Sequence, residues 1–245
     1  NSVRQVRAFG PERWSESPVV QRLVRPGDVV VDAGANIGYI TALLARWVGP
    51  GGLVHSIEPI PATYALLTRA VRALGLAQVR CHACAVSDQA GEAVMEIPDY
   101  PDGGENFYES RVVPAGASSG RSLRQAVRLC TLDELAGAHG SRITFMKIDV
   151  EGHEAPALRG ARRILEQARP ALLVEINGSL DTPDEATARL CADLAGLGYG
   201  IYLPGGNAGV RLRRTGERAV DYYFLTPDHV ANRLGGGPVQ EEART

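Results

Sequence analysis

Asp149 and Glu151 stand two residues apart just beyond the apolar run Ile143 to Ile148, and Glu175 interrupts a second apolar run, Ala171 to Ile176. On extended chain, residues two apart face the same side, so neighbouring strands would gather these three carboxyls into one cluster. Such a cluster either raises one pKa far enough to make a general base or holds a divalent cation such as Mg²⁺ that acidifies a substrate hydroxyl. The spacing leaves both uses open, with Asp149, Glu151 and Glu175 as the metal-ligand set in the second. His153, just ahead of a helix beginning near Pro156, is another candidate base, because imidazole titrates near neutral pH; helix capping is its competing use.

A second constellation is Asp32-Ala33-Gly34-Ala35-Asn36-Ile37-Gly38, a glycine-rich link between the apolar run Val29 to Val31 and a helical stripe. Glycines here allow close backbone approach, and a helix N-terminus offers free N–H groups, which implies a nucleotide-like ligand. The dinucleotide fingerprint requires glycine where Asn36 and Tyr39 stand, and the phosphate-loop motif requires a lysine that only position 147 supplies. Both are disfavoured, leaving a nucleoside cofactor without a pyrophosphate. Asp32 would attract an ammonium group, directly or through water, Glu58 can accept both ribose hydroxyls, and Asp88, beside Ser87, can meet an adenine amine. Ammonium, ribose and adenine without phosphate describe S-adenosylmethionine.

The elements that must carry these residues are legible from periodicity. Ile40, Leu43, Leu44, Trp47 and Val48 form a helical stripe stopped by Gly49-Pro50-Gly51-Gly52; Leu53 to Ile57 reads as a strand; Leu66 to Leu74 form a helix ended by Gly75. A third strand is predicted over Val79 to Val86, others over Ile143 to Ile148 and Ala171 to Ile176. One helix, with Leu158, Ala161, Leu165 and Ala168 on a face, follows His153. Another is capped by Thr182 with Pro183 at its first position and Glu185 completing a capping box. The runs Gly200 to Leu203 and Tyr222 to Leu225 are expected to pair as an antiparallel hairpin. Alternating strands and helices predict a parallel sheet covered on both faces, with ligands bound beyond the strand C-termini.

We divide the chain as a single domain: an N-terminal extension (1–26), a cofactor-binding half (27–90), an insertion forming the expected substrate region (91–128), a second half (129–230) and a flexible tail (231–245). Asn106 and Tyr108 in the insertion, with Glu151 and Asn177, are the expected substrate contacts.

Composition bounds the rest. The 26 basic and 28 acidic residues give a net charge of −2, which supplies no global field for nucleic acid. No apolar run is long enough to span a membrane, and the first residues lack a secretory pattern, so a cytoplasmic location is the expectation. Only Cys81 and Cys84 form a C-x-x-C pair, and side chains three apart on a strand face opposite ways, which disfavours a disulfide or shared metal. The oligomeric state stays open, a homo-oligomer included.

Val31 to Gly38, Ile57-Glu58-Pro59, Ala85-Val86-Ser87-Asp88, Lys147-Ile148-Asp149-Val150-Glu151-Gly152-His153-Glu154, Leu158-Arg159-Gly160-Ala161 and Pro170 to Glu175 together resemble the FkbM-type methyltransferases. The resemblance runs from about Gly27 to Asn177 and is carried most specifically by the Lys147 to Gly152 block. It implies an α/β, Rossmann-like class I methyltransferase sandwich of three layers, with a mostly parallel seven-stranded sheet whose last strand is antiparallel. It further implies S-adenosylmethionine as cofactor and O-methylation of a sugar or small-molecule natural product. Methyl transfer to a hydroxyl is an in-line displacement that needs the oxygen aligned and its proton removed. Asp149, Glu175 and His153 are the candidates for that work. N-methylation of a small molecule and a non-catalytic nucleoside-binding module of the same fold are the competing readings.

Overall fold

The protein, a computed structural model, is described over residues 2–98, 110–113 and 122–235. Val29–Ala33 (β1) and Leu53–Ile57 (β2) are short apolar runs lying parallel, and Val79–His82 (β3) continues the sheet on their outer side. On the other side of β1 come Ile143–Ile148 (β8) and Ala171–Glu175 (β9), both parallel to it. Asp221–Leu225 (β12) runs antiparallel to β9, and Gly200–Pro204 (β10) pairs antiparallel with β12. This is the expected sheet and the expected hairpin. An eighth strand, Val210–Leu212 (β11), extends the sheet beyond the predicted seven by pairing with the outer edge of β10.

Alternation along β1 explains the layers. Val29, Val31 and Ala33 share a buried cluster with Ala157, Leu158, Ile164, Leu165, Leu190 and Leu194. Those side chains come from Glu154–Arg159 (α6), Arg162–Gln167 (α7) and Glu185–Gly196 (α8). Val30 faces the other way, packing with Ser17–Leu23 (α2), Tyr39–Val48 (α3) and Pro227–Asn232 (α9). Strands buried on both faces are apolar over most of their length, which is why the runs show no regular polar alternation, and the few polar residues within them, such as Asp32, His55, Ser56 and Lys147, are themselves buried.

Four expectations change. The predicted third strand is two: β3 stays in the main sheet, while Ala85–Val86 (β4) joins a second sheet with Gly91–Pro98 (β5), Arg111–Val113 (β6) and Ser122–Cys130 (β7) in the order β4-β7-β5-β6. The helix after His153 is broken into α6 and α7 at Gly160, where an added Cβ would lie 1.9 Å from the Ser87 carbonyl oxygen; the close crossing needs both glycine and a bend. Asp184, not Thr182, caps α8, its side chain accepting from the Thr187 amide at 2.8 Å. The tail prediction fails at its start, because Leu234 is buried and Arg233 donates to Asp28 at 2.7 Å. Among the described residues no helix is long and apolar enough to cross a membrane. The four cysteines are free thiols, and burial pushes Cys84 up to about 12.

Candidate active site

The β1–α3 loop is built around two close backbone contacts. Gly34 and Ala35 both donate to the Ile57 carbonyl, at 3.1 and 2.9 Å, tying the loop to the end of β2. At Gly34, with φ of +82°, an added Cβ would lie 1.7 Å from the carbonyl oxygen of Asp149, so the glycine loop and the loop after β8 touch main chain to main chain. Asn36 sits in the left-handed region (φ 48°), and Gly38 (φ 97°) turns the chain into α3. Glu58 stabilises this loop: Oε2 accepts from the Asn36 amide at 3.0 Å, and Oε1 accepts from the Ile60 amide and Thr63 hydroxyl at 2.9 and 3.1 Å. Burial raises its pKa despite those bonds.

Asp32 sits just beneath the cavity, and its buried Oδ1 has no hydrogen-bond partner in the protein. The residue is fully buried, accepts from the Thr41 hydroxyl at 2.6 Å and lies outside the cavity lining, so it supports the loop from beneath. Burial raises its pKa against the opposing effects of Lys147 and Thr41. Ser87 and Asp88 also lie outside the lining. The Ser87 hydroxyl is 3.0 Å from His153 Nε2, and Asp88 accepts from Arg159 at 3.0 and 3.2 Å. Burial opposes ionisation of Asp88, but the guanidinium and hydrogen bonds prevail and hold its carboxyl below the usual range.

A cavity of about 420 Å³ opens at the strand C-termini, lined by Gly34, Asn36, Glu58, Asp149, Glu151, His153 and Glu175 among others. Asp149, Glu151 and Glu175 each offer an oxygen within 4.8 Å of the others, as the spacing predicts, and Glu151 holds its place with a left-handed backbone (φ 51°). Lys147 Nζ donates to Asp149 Oδ2 at 2.6 Å. Burial and the neighbouring Asp149 push Glu175 up to about 8. Asn177 is not in the lining; its amide donates to Glu175 Oε1 at 3.3 Å, which makes it a neighbour of the cluster rather than a wall of the site. His153 makes no helix-capping bond, and burial lowers its pKa, so it enters the cavity as a neutral imidazole. Asn106 and Tyr108 lie outside the described residues.

Two acidic residues of this wall escaped sequence reading. Asp221, in register with Glu175, starts β12; because that strand is antiparallel, its first residue arrives at the rim where the other strands end. Burial and Glu16 raise it to about 6. Glu16 comes from the N-terminal segment, which is fixed by Phe9 against Tyr39 (ring centroids 4.8 Å) and Trp14 against Trp47 (6.2 Å). Phe9, Trp14 and Glu16 all line the cavity, so the extension is one of its walls. Met95 and Val112 of the second sheet, with Ser110 just before β6, form another.

The residues fit an S-adenosylmethionine-sized ligand. The cavity lies within the range of small-molecule sites, Gly34, Ala35 and Asn36 of the close-packed loop line it, and carboxylates dominate its walls, with Lys147 already paired to Asp149. Sheet order, the antiparallel last strand and a cavity at the strand C-termini define the Rossmann-like fold of the class I methyltransferases. The model of the methyltransferase FkbM domain matches residues 32–200, and the chain belongs to that family, whose members are S-adenosylmethionine-dependent methyltransferases.

Individual relatives agree. The chain is 47% identical over 79 residues to the 31-O-demethyl-FK506 methyltransferase FkbM of Streptomyces tacrolimicus, a match covering 32% of this chain and 29% of that enzyme. It is 25% identical over 187 residues to Methyltransferase 1 of Beauveria bassiana, covering 71% of this chain and 74% of the relative. In three dimensions it is similar to the crystal structure of Methyltransferase FkbM from Methylobacillus flagellatus KT, with a TM-score of 0.52 at 19% identity. That alignment covers 91% of this chain but spans about half of the other protein, 53%.

Proposed function

We propose that this protein methylates a hydroxyl oxygen of a small-molecule natural product or sugar moiety, using S-adenosylmethionine and a general base drawn from its carboxylate cluster. The observation that carries this reading is Glu175, a carboxyl raised to about 8 beside Asp149 in the cavity wall. A base whose pKa lies near the working pH combines a populated ionised form with real proton affinity.

Asn36, Gly34 and Glu58 would hold the cofactor's nucleoside part, and the acidic wall would favour its positive charges. The cofactor supplies an electrophilic methyl group. The chain's own residues orient the acceptor oxygen and take its proton at Glu175, while Lys147 fixes Asp149 in place. The name of the Streptomyces relative, which specifies an O-methylation, supports oxygen as the acceptor atom. Phe9, Trp14 and Tyr39 offer apolar ring faces and Glu16 and Asp221 offer hydrogen-bond acceptors, a pairing suited to a ring that carries hydroxyls.

The convergence of three carboxylate oxygens favours a second reading, in which Asp149, Glu151 and Glu175 bind a divalent cation. Methyl transfer to a panel of glycosides and hydroxylated metabolites, run with Mg²⁺ and with chelator, tests both. Chelator-resistant O-methylation supports the base; chelator-sensitive O-methylation supports the cation. Transfer to amines alone would replace the proposal, and cofactor binding without turnover on any acceptor would favour the non-catalytic module.

A further inference from the structure

The strands that end at the carboxylate-lined cavity begin at a second one. Val29 and Leu53 are the first residues of β1 and β2, Arg80 is the second residue of β3, and Arg142 directly precedes β8. Since these four strands are parallel, their starts share one end of the sheet, opposite the catalytic rim. A concavity of about 390 Å³ opens there.

Charge separates the two cavities. The rim cavity carries Glu16, Glu58, Asp149, Glu151, Glu175 and Asp221 against a single cation, Lys147. The basal cavity carries Arg80, Arg142 and His139 and no carboxyl at all. Among the described residues, neither guanidinium makes an ion pair or a side-chain hydrogen bond, whereas Arg111, Arg159, Arg211, Arg213 and Arg233 are each matched to a carboxylate. In a chain whose net charge is −2, two unmatched guanidiniums and an imidazole converging on one concavity are a local reversal of sign.

A buried histidine lies beside this cavity, outside its lining. His55, in register with Arg80, is buried; its Nδ1 is 3.1 Å from His82 Nε2, and its ring lies 5.7 Å from that of His139. Its Nε2 makes no hydrogen bond to the protein. Burial, then His82, His139 and Arg80, hold its pKa down to about 4, in keeping with a positive field at this end of the sheet. Gly52 is needed in the turn above, because an added Cβ would lie 2.7 Å from the Asp28 carbonyl oxygen and 2.5 Å from Val48 Cβ.

From this geometry we infer that the basal cavity is a binding site for a phosphoryl group, carried by a small phosphate monoester or as free phosphate, with Arg80 and Arg142 as its ligands and His139 as a third donor. Planar guanidiniums match phosphate oxygens two at a time, which is the recognition two converging arginines are built to give. Pro50, Leu53 and Ala77 on the same walls give the organic part of a monoester an apolar surface.

Calorimetric titration of the whole chain at fixed ionic strength tests this, with inorganic phosphate, ribose 5-phosphate and glycerol 3-phosphate in separate arms. Each arm is run with and without S-adenosylhomocysteine, which covers the rim cavity. Saturable binding that persists with S-adenosylhomocysteine and weakens about tenfold or more in the R80Q/R142Q double variant is expected. Tighter binding of a monoester assigns the organic ligand, and equal or tighter binding of inorganic phosphate assigns the free ion; either supports the site. R80Q alone, at an exposed position, gives the same comparison with a smaller loss if the double variant does not fold. No saturable binding in any arm, competition by S-adenosylhomocysteine, or undiminished affinity in the variants would overturn the inference.

Discussion

Lys147 Nζ lies 2.6 Å from Asp149 Oδ2, so the only lysine in the chain is spent inside the carboxylate cluster. Lys147 is almost wholly buried while its partner is partly open, and it is also attracted by Asp32 and Asp221. Burial alone would lower its pKa, yet the surrounding carboxylates raise it. The ammonium is thus the counter-charge that lets several acids share one wall.

Removing it leaves those acids unbalanced. Lys147→Met is expected to lower unfolding stability by about 3 kcal/mol or more, the range for breaking a buried ion pair from one side. Adding Asp149→Asn to that background should recover part of the loss. Urea unfolding of the parent and the two variants checks this, and a change below about 1 kcal/mol in Lys147→Met would place the pair among weak surface contacts.

Glu175 makes the pH dependence specific. Its pKa near 8 means that it holds a proton at neutral pH, so the rate of methyl transfer should rise as pH increases through about 8. Glu175→Gln should remove that limb and reduce turnover by about 10²-fold or more. Stability runs the other way. A folded-state pKa above the unfolded value makes the native state bind more protons, so stability falls as pH rises from the ordinary carboxyl range through about 8. Glu175→Gln should therefore be more stable relative to the parent at pH 9 than at pH 5, by thermal unfolding. Parallel curves for the two proteins would remove Glu175 from both roles.

The division between what could and could not be read from sequence follows from the same contacts. Strands β1, β2, β8 and β9 were legible because burial on both faces leaves short, mostly apolar runs between turn and helix signals. The split of the third strand was not, because Val79 to Val86 is apolar enough for one strand and only the pairing of Val86 with Cys130 draws its second half away. Asp149, Glu151 and Glu175 stood out by their places after two strands, though Glu151 joins the others through a left-handed turn (φ 51°) rather than on extended chain. What Asp32 touches could not be read, since an acid at a strand end looks the same whichever way it faces; here Oδ2 accepts from Thr41 and Oδ1 has no partner in the protein. Glu16 and Trp14 carry no local signal; they reach the cavity only because Phe9 and Trp14 find partners on α3.

Two glycines separate steric from conformational demand. Gly160 has an ordinary helical φ of −73°, so Gly160→Ala meets only the Ser87 carbonyl and should cost about 1–3 kcal/mol, or more if α6 and α7 cannot part. Gly34→Ala combines a comparable clash against Asp149 with an unfavourable φ. It should be the more damaging of the two, and should reduce turnover beyond its loss of stability, because relief of the clash displaces Asp149. Unfolding and turnover measured on both variants decide the order; equal turnover per folded molecule would show that Asp149 can move without consequence.

Glu58 and Asp149 provide the cleanest split between holding the cofactor and doing the chemistry. Glu58 binds the Asn36 amide, the Ile60 amide and the Thr63 hydroxyl with one carboxylate, so Glu58→Ala frees Asn36 and unlinks the glycine loop from the start of Pro61–Ala73 (α4), leaving its bonds to Ile57. Affinity for S-adenosylhomocysteine should fall about tenfold or more, the loss expected when a charged hydrogen-bonding centre is removed. Asp149→Asn keeps the shape of the side chain and leaves the loop's bonds to Ile57 and Glu58 intact, so affinity should change by no more than about twofold while turnover drops by about 10²-fold. Calorimetry with S-adenosylhomocysteine and single-turnover methyl transfer on each variant give the two readouts. Equal losses of affinity in both would mean that Asp149 binds the cofactor, and that the carboxylate cluster and the glycine loop act as one site.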